Sequence, residues 1–98
     1  MTKIETMKFD SADYLNSAEA IAAYLDAYLE DATPDELRAA LATVARSHGV
    51  SDLSRRSGVT RAGIYKALGE DGNPSFETIR SLLGAMGLRL TVEPADAG

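Results

Sequence analysis

The chain has 98 residues, of which 15 are acidic and 10 basic, with a formal net charge of −5 and no cysteine or tryptophan. This length allows one domain at most, and the lack of cysteine excludes disulfides, thiolate chemistry and cysteine-bound zinc. A hydrophobic share of 45% argues against disorder. The sequence holds no secretory signal and no apolar run near the roughly 20 residues of a membrane span, so we expect a soluble, cytoplasmic protein.

Charge is distributed unevenly along the chain. Residues 1–36 carry nine acidic and two basic residues, whereas residues 46–66 carry five basic residues and one acid. The acidic total argues against a nucleic-acid partner, but the basic middle segment favours one. The distribution therefore predicts two faces that suit different partners.

Two helices are predicted in the first half of the chain. The first follows Asn16 or Ser17 as N-cap, and its apolar face has three- and four-residue spacing: Ala20, Ile21, Tyr24, Leu25, Tyr28 and Leu29. The second has a stronger start signal, because Thr33-Pro34-Asp35-Glu36 supplies an N-cap, a proline at the first helical position and the glutamate of a capping box. This helix ends at His48-Gly49 and is expected to bury Leu37, Ala40, Leu41, Val44 and Ala45.

Three shorter helices are predicted next. One begins at Ser51 and stops at Gly58, and the following helix is capped by Thr60 and ends before Gly69. A turn-forming loop over residues 69–74 leads to a fifth helix, which Ser75 caps and Gly87 closes. Its inward residues are expected to be Phe76, Ile79, Leu82, Leu83 and Met86.

Residues 88–93 alternate apolar and polar side chains, which predicts a short strand with Leu88, Leu90 and Val92 on one face. A lone strand cannot satisfy its own backbone groups, so we expect it to pair with the segment around Phe9 or, more simply, with its copy in a two-fold dimer. The expected fold is all-α, with five helices and this strand in one domain over residues 1–98. That domain divides into an N-terminal arm (1–15), a helical core (16–87), the strand (88–93) and a tail (94–98).

Residues 50–68 have the pattern of a helix-turn-helix, with a tight turn at Gly58 and apolar anchors at Leu53, Val59, Ile64 and Leu68. The second helix would enter the major groove of DNA and present Thr60, Arg61, Tyr65 and Lys66 to it. Phosphate contacts are expected from the first helix, at Ser51, Arg55 and Arg56. The alternative is a plain helical hairpin whose basic residues form a solvated face. Gly63 costs about 1 kcal/mol relative to alanine in a helix, and it is either a position of close approach to DNA or a tolerated defect.

Several stretches carry a family resemblance over nearly the whole chain, and the most specific are Ile64-Tyr-Lys-Ala-Leu68 and Gly72-Asn-Pro-Ser-Phe76. With these, the sequence resembles the HigA-like addiction-module antidote proteins, the antitoxin partners of small RelE/ParE-type toxins. The resemblance implies a lambda-repressor-like DNA-binding domain, a toxin encoded alongside, and repression of the protein's own operon. Two residues depart from the family pattern: Gly63 replaces a helix-favouring polar residue, and Ser54 replaces the usual alanine against the turn.

The acidic front of the chain fits the toxin that this resemblance implies. Such toxins are typically basic RNA-binding folds, so an acidic surface would be complementary and would speed association. The segment 7–15 is expected to contact the toxin through Phe9, Asp10, Asp13, Tyr14 and Leu15. Alternatively, Phe9, Tyr14 and Leu15 pack on this protein's own core.

No enzymatic activity, cofactor or metal is expected, since His48 is the only histidine and the serines have no base near them in the sequence. The expected partners are operator DNA, a basic RelE/ParE-like toxin and a second copy of the chain. Association with a membrane is not expected. Two other functions remain open: a stand-alone phage-type repressor without a toxin, and a helical module that binds only protein. An orphan gene, without a toxin gene beside it, would indicate the stand-alone repressor. DNA affinity that does not depend on salt would indicate the protein-binding module.

Overall fold

The computed structural model describes residues 15–95, and all of the regular structure in this range is helical. Five helices follow in chain order: α1 (Ala18–Asp31), α2 (Pro34–His48), α3 (Val50–Ser57), α4 (Arg61–Leu68) and α5 (Phe76–Ala85). The predicted all-α class with five helices is confirmed for this part of the chain. None of these helices is long and apolar enough to cross a membrane.

The helix starts lie where hydroxyl side chains supply caps. In four of the helices the N-cap side chain accepts a hydrogen bond from the backbone N–H three residues later; these caps are Ser17, Thr33, Thr60 and Ser75. Thr33 forms the full capping box, because its Oγ1 accepts from the N–H of Glu36 at 3.1 Å and Glu36 Oε1 accepts from the N–H of Thr33 at 2.9 Å. Each cap satisfies donors that a helix leaves without an internal partner. The predicted caps are therefore confirmed.

One apolar core joins the helices, and α3 lies at its centre. The α3 helix packs against α2, α4 and α5, while α1 packs against α2. The most deeply buried large side chains are Val44, Leu53 and Ile64, which come from α2, α3 and α4. The full set of buried apolar residues is Leu15, Ile21, Leu25, Ala40, Leu41, Val44, Ala45, Leu53, Ile64, Leu68, Leu82, Leu83 and Met86.

Two residues that were predicted to face the core are exposed. Leu29 is 59% exposed in the last turn of α1, where it borders a groove that is open to solvent. Phe76 is 75% exposed because it is the first residue of α5, before the helix reaches the core at Ile79. The predicted inward position of both residues is therefore wrong, because helical spacing does not show where the elements that cover a helix end.

The predicted strand at residues 88–93 is wrong, because no strand forms there. The chain instead leaves α5 through a Schellman motif, in which the Leu88 N–H donates to Leu83 O at 2.9 Å and the Gly87 N–H donates to Gly84 O at 3.1 Å. Gly87 has the left-handed backbone conformation of this motif, at φ 83°. The Leu88 amide is thus used to close the helix, and within residues 15–95 no second strand lies beside this segment. The alternative partner around Phe9 lies outside the described residues.

Candidate nucleic-acid interface

A three-residue connection joins α3 to α4 and sets the direction of α4. Gly58 ends α3 in the left-handed region at φ 82°, and its N–H donates to Ser54 O at 3.0 Å. Glycine adopts this conformation without the cost that a side chain would impose. Ser57 Oγ then accepts from the N–H of Val59 at 3.1 Å, and Thr60 Oγ1 accepts from the N–H of Gly63 at 2.9 Å. The connection is therefore held by local hydrogen bonds.

Apolar anchors fix both helices of this pair to the core. Leu53 is fully buried on α3, and Ile64 and Leu68 are 1% and 5% exposed on α4. Val59, in the connection, is partly buried against the same core. All four residues predicted as anchors of this helix pair therefore pack inward, which leaves the opposite side of each helix to solvent.

All seven residues predicted to contact DNA are exposed on this helix pair. Tyr65, the one aromatic residue among them, has 59% of its surface exposed. The exposed set comprises Ser51, Arg55 and Arg56 on α3, the cap Thr60, and Arg61, Tyr65 and Lys66 on α4. The structure thus brings these seven candidates to the surface of two consecutive helices.

A cluster that sequence reasoning missed lies on α3 and at the end of α2. The carboxylate of Asp52 forms ion pairs with Arg55 and with Nε of Arg56 at 2.9 Å. It also lies within hydrogen-bond distance of Nε2 of His48, at 2.9 Å. Asp52 thus contacts both arginines that were assigned to DNA phosphates. The signal was present in the sequence, because residues three and four apart lie on the same helix face.

These contacts also change the acidity of Asp52. The hydrogen bond from Arg56 lowers the pKa of Asp52 below its ordinary value, and His48 and the charge of Arg55 act in the same direction. A lowered folded-state pKa means that the stabilising contribution is present above the unfolded-state pKa and is lost as the pH falls through the folded-state pKa. Asp52 is therefore ionised at neutral pH and forms charged pairs with Arg55 and Arg56.

The C-terminal end of α4 is tied to the rest of the domain. Arg38 Nη1 donates to Gly69 O at 2.7 Å, while its Nη2 lies 3.2 Å from Asp35 Oδ1. Gly72 closes the turn by donating its N–H to Gly69 O at 2.8 Å. A Cβ at Gly72 would lie only 2.0 Å from Ala67 O, so the turn fits against α4 only without a side chain. Gly72 opens one of the two most specific stretches of the sequence, and this close approach explains why glycine stands there.

The immediate surroundings of Gly63 are its own helix start. A Cβ placed on Gly63 would lie 3.0 Å from Thr60 Oγ1 and 3.2 Å from Val59 Cγ1. Glu36 occupies the same position relative to the cap Thr33 that Gly63 occupies relative to Thr60. A threonine cap by itself therefore does not exclude a side chain at this position. The added constraint at Gly63 is Val59, which packs close to the first turn of α4. A side chain at Gly63 would therefore require the side chains of Val59 and Thr60 to move by a few tenths of an ångström.

The residues predicted to contact a toxin are described only in part. Leu15 is 3% exposed and belongs to the core, and its carbonyl accepts a hydrogen bond from Ser47 Oγ at 2.9 Å. Packing on the protein's own core, the alternative interpretation, is therefore what the structure gives for Leu15. The other four candidates, Phe9, Asp10, Asp13 and Tyr14, lie outside the described residues.

The three residues predicted at a dimer interface differ in exposure. Leu88 is partly buried against the core, whereas Leu90 and Val92 are 40% and 94% exposed.

Among residues 15–95 no group of three or more histidine, aspartate or glutamate side chains could hold a metal ion.

This geometry defines a class of protein: a small helical domain in which the helix pair α3 and α4 carries exposed basic residues. The sequence model of a family described as "Probable addiction module antidote protein" matches residues 5–94. The chain therefore belongs to this family of probable addiction module antidotes. It is also 36% identical to an uncharacterized protein of Haemophilus influenzae over 85 residues, which cover 87% of this chain and 88% of that protein. No solved structure gives a significant match.

Proposed function

We propose that this protein is the antitoxin of a type II toxin–antitoxin pair, which neutralises a basic RelE/ParE-like toxin and represses its own operon. In this proposal α3 and α4 form a helix-turn-helix, and α4 is the recognition helix that enters the major groove. The observation that carries the DNA-binding part is the separation of faces on this pair. Its apolar residues are buried, while its basic residues are exposed.

The DNA contacts in this proposal divide between the two helices. Arg61 and Lys66 on α4 supply base-edge or phosphate contacts, assisted by Thr60 and Tyr65. The α3 side chains of Ser51, Arg55 and Arg56 contact phosphates, which position the protein without selecting a sequence.

Membership of the antidote family supports the toxin-binding part of the proposal. The charge of α1 supports it as well, because Ala18–Asp31 carries Glu19, Asp26, Glu30 and Asp31 and no basic residue. Such a surface suits a basic partner and increases the rate of encounter with it. Phe9, Asp10, Asp13 and Tyr14 remain predicted toxin contacts.

A homodimer would let two copies of α4 contact the two half-sites of a palindromic operator, with centres about 34 Å apart. The side chain of Val92, which is 94% exposed, supports contact with a second copy, since burial of such an apolar side chain favours association. This contact does not require a strand.

The toxin-binding proposal is tested with the protein encoded by the gene adjacent to this one. We expect a basic protein that co-purifies with this chain as a tight complex and whose arrest of cell growth is relieved when this chain is co-expressed. An adjacent product that neither binds nor arrests growth, or an orphan gene, would instead make the chain a stand-alone repressor. DNA affinity without salt dependence would leave only a protein-binding module.

Asp52→Asn is expected to increase the affinity for operator DNA by about 2- to 5-fold. Ion pairs that are accessible to solvent are weak, and Asp52 holds Arg55 and Arg56 by such pairs. Without the carboxylate, both guanidinium groups are available to phosphates. Fluorescence anisotropy at several salt concentrations measures the effect. The slope of the logarithm of the binding constant against the logarithm of the salt concentration should become steeper by up to about 0.9 for each further phosphate that the protein neutralises.

A matched control for this prediction is Asp31→Asn, which makes the same change in net charge at an exposed position at the end of α1. It should leave the salt dependence of DNA binding nearly unchanged. If Asp52→Asn weakens DNA binding, Asp52 positions the two arginines for their phosphate contacts and does not compete for them.

A further inference from the structure

An open apolar groove separates α1 from the segment that follows α5. Its volume is about 610 Å³, and its apolar lining includes five leucines: Leu25, Leu29, Leu83, Leu88 and Leu90. Leu25 and Leu83 are buried at its base, whereas Leu29 and Leu90 are 59% and 40% exposed. Ala22 and Ala23 also line the α1 side of the groove. Two large exposed leucines across a groove with a leucine base form a typical apolar docking surface.

Charges at the edge of the groove limit the kind of partner that fits it. Asp26 and Glu93 border the groove with Arg89. The α1 helix carries three further acids, Glu19, Glu30 and Asp31, and no base. A second copy that docked through its own α1 would therefore bring two acidic helices together, and like charges across an interface oppose association. A basic segment is complementary.

We infer that this groove binds an amphipathic segment of the toxin, whose apolar side chains contact Leu29 and Leu90 while its lysines or arginines face the acids of α1. The inference rests on the proposed antitoxin function and assigns a toxin-binding surface outside residues 7–15. The groove lies between α1 and the segment after α5, whereas the DNA-binding candidates lie on α3 and α4. The two partners therefore use different elements of the chain.

The test is isothermal titration calorimetry of the full chain with the basic protein encoded by the adjacent gene. Leu29→Arg removes an apolar contact and places a positive charge opposite a basic partner. We expect it to weaken binding at least about 30-fold, as does the loss of a central interface residue. Leu90→Arg changes the other side of the groove and should also weaken binding by more than about 10-fold.

Phe76→Arg is the matched control, because it replaces another exposed apolar side chain with arginine outside the lining of the groove. It should change the affinity by less than about 3-fold. If Leu29→Arg and Leu90→Arg bind as tightly as the native chain, the groove is not the toxin site, although the antitoxin function stands. If the native chain itself does not bind the adjacent protein, both proposals fail.

Two further outcomes would assign the groove to other occupants and contradict the inference. A change in molar mass from dimer to monomer in Leu29→Arg, measured by light scattering, would assign it to a second copy. An unchanged mass with an unfolding midpoint several degrees lower would assign it to residues 1–14 of the same chain. We expect the mass to stay unchanged because the acids of α1 disfavour a second copy at the groove. We expect the midpoint to stay unchanged because Leu29 is exposed.

Discussion

Arg61→Ala combined with Lys66→Ala is expected to lower the affinity for operator DNA by about 100-fold or more. Loss of one specific contact costs about 1–3 kcal/mol, and every 1.4 kcal/mol corresponds to tenfold. Both side chains are exposed on α4, so their truncation should leave the fold intact. The measurement is anisotropy with a duplex from the region upstream of this gene, with circular dichroism to verify the helical content.

The double variant Arg80→Ala and Arg89→Ala is the control for this experiment. Both residues are exposed, and they lie on α5 and in the segment after it. The pair makes the same change in net charge outside α3 and α4, and it should retain most of the DNA affinity. If the Arg61 and Lys66 variant binds the operator like the native chain, the assignment of α4 as the recognition helix is wrong.

Leu53→Ala is expected to lower the free energy of unfolding by about 3 kcal/mol, within the 2–5 kcal/mol observed for buried leucines. Leu53 is fully buried on α3, the helix that packs against α2, α4 and α5. A cavity at this point weakens the packing of several helices together. Because domains of this size have only about 5–15 kcal/mol of stability, the loss is a large fraction of the total.

Urea unfolding followed by circular dichroism measures this loss. Leu29→Ala is the matched control, because it makes the same chemical change at a residue that is 59% exposed. It should cost less than about 1 kcal/mol, since large losses arise from cavities in the core. Equal losses in the two variants would show that α3 is not the centre of the core.

Helix starts were predictable from the sequence because their causes are local. A cap of this kind needs a hydroxyl side chain directly before the helix, where it accepts from the backbone N–H three residues later. Thr33 and Thr60 can be recognised as such residues in the sequence, and both make this hydrogen bond. The start of α3 differed by one residue, at Val50 instead of Ser51, since Gly49 both ends α2 and precedes α3 without a side-chain cap. The helix starts could therefore be predicted to within about one residue from local sequence signals.

Features that depend on distant neighbours were not predictable in the same way. The alternation of residues 88–93 indicated a strand, but a strand needs a partner, and the Leu88 amide is already bonded to Leu83 O. Helical spacing gave Leu29 and Phe76 an inward face without showing where the covering elements stop. The exposed face of α3 and α4 was predicted, whereas the leucine groove was found only in the structure. The pairing of Asp52 with its arginines is local and was visible in the spacing, but it was missed.

The contact of Arg38 with Gly69 O means that α4 is fastened at both ends. Its first turn is fixed by the Thr60 cap, and its last turn is fixed by a guanidinium group from α2. A helix restrained in this way loses little conformational freedom when a ligand contacts it, because its orientation is set when the domain folds. In the proposed complex with DNA, little of the binding free energy would therefore be spent on ordering α4, and a DNA site that already matches the shape of α4 would be favoured.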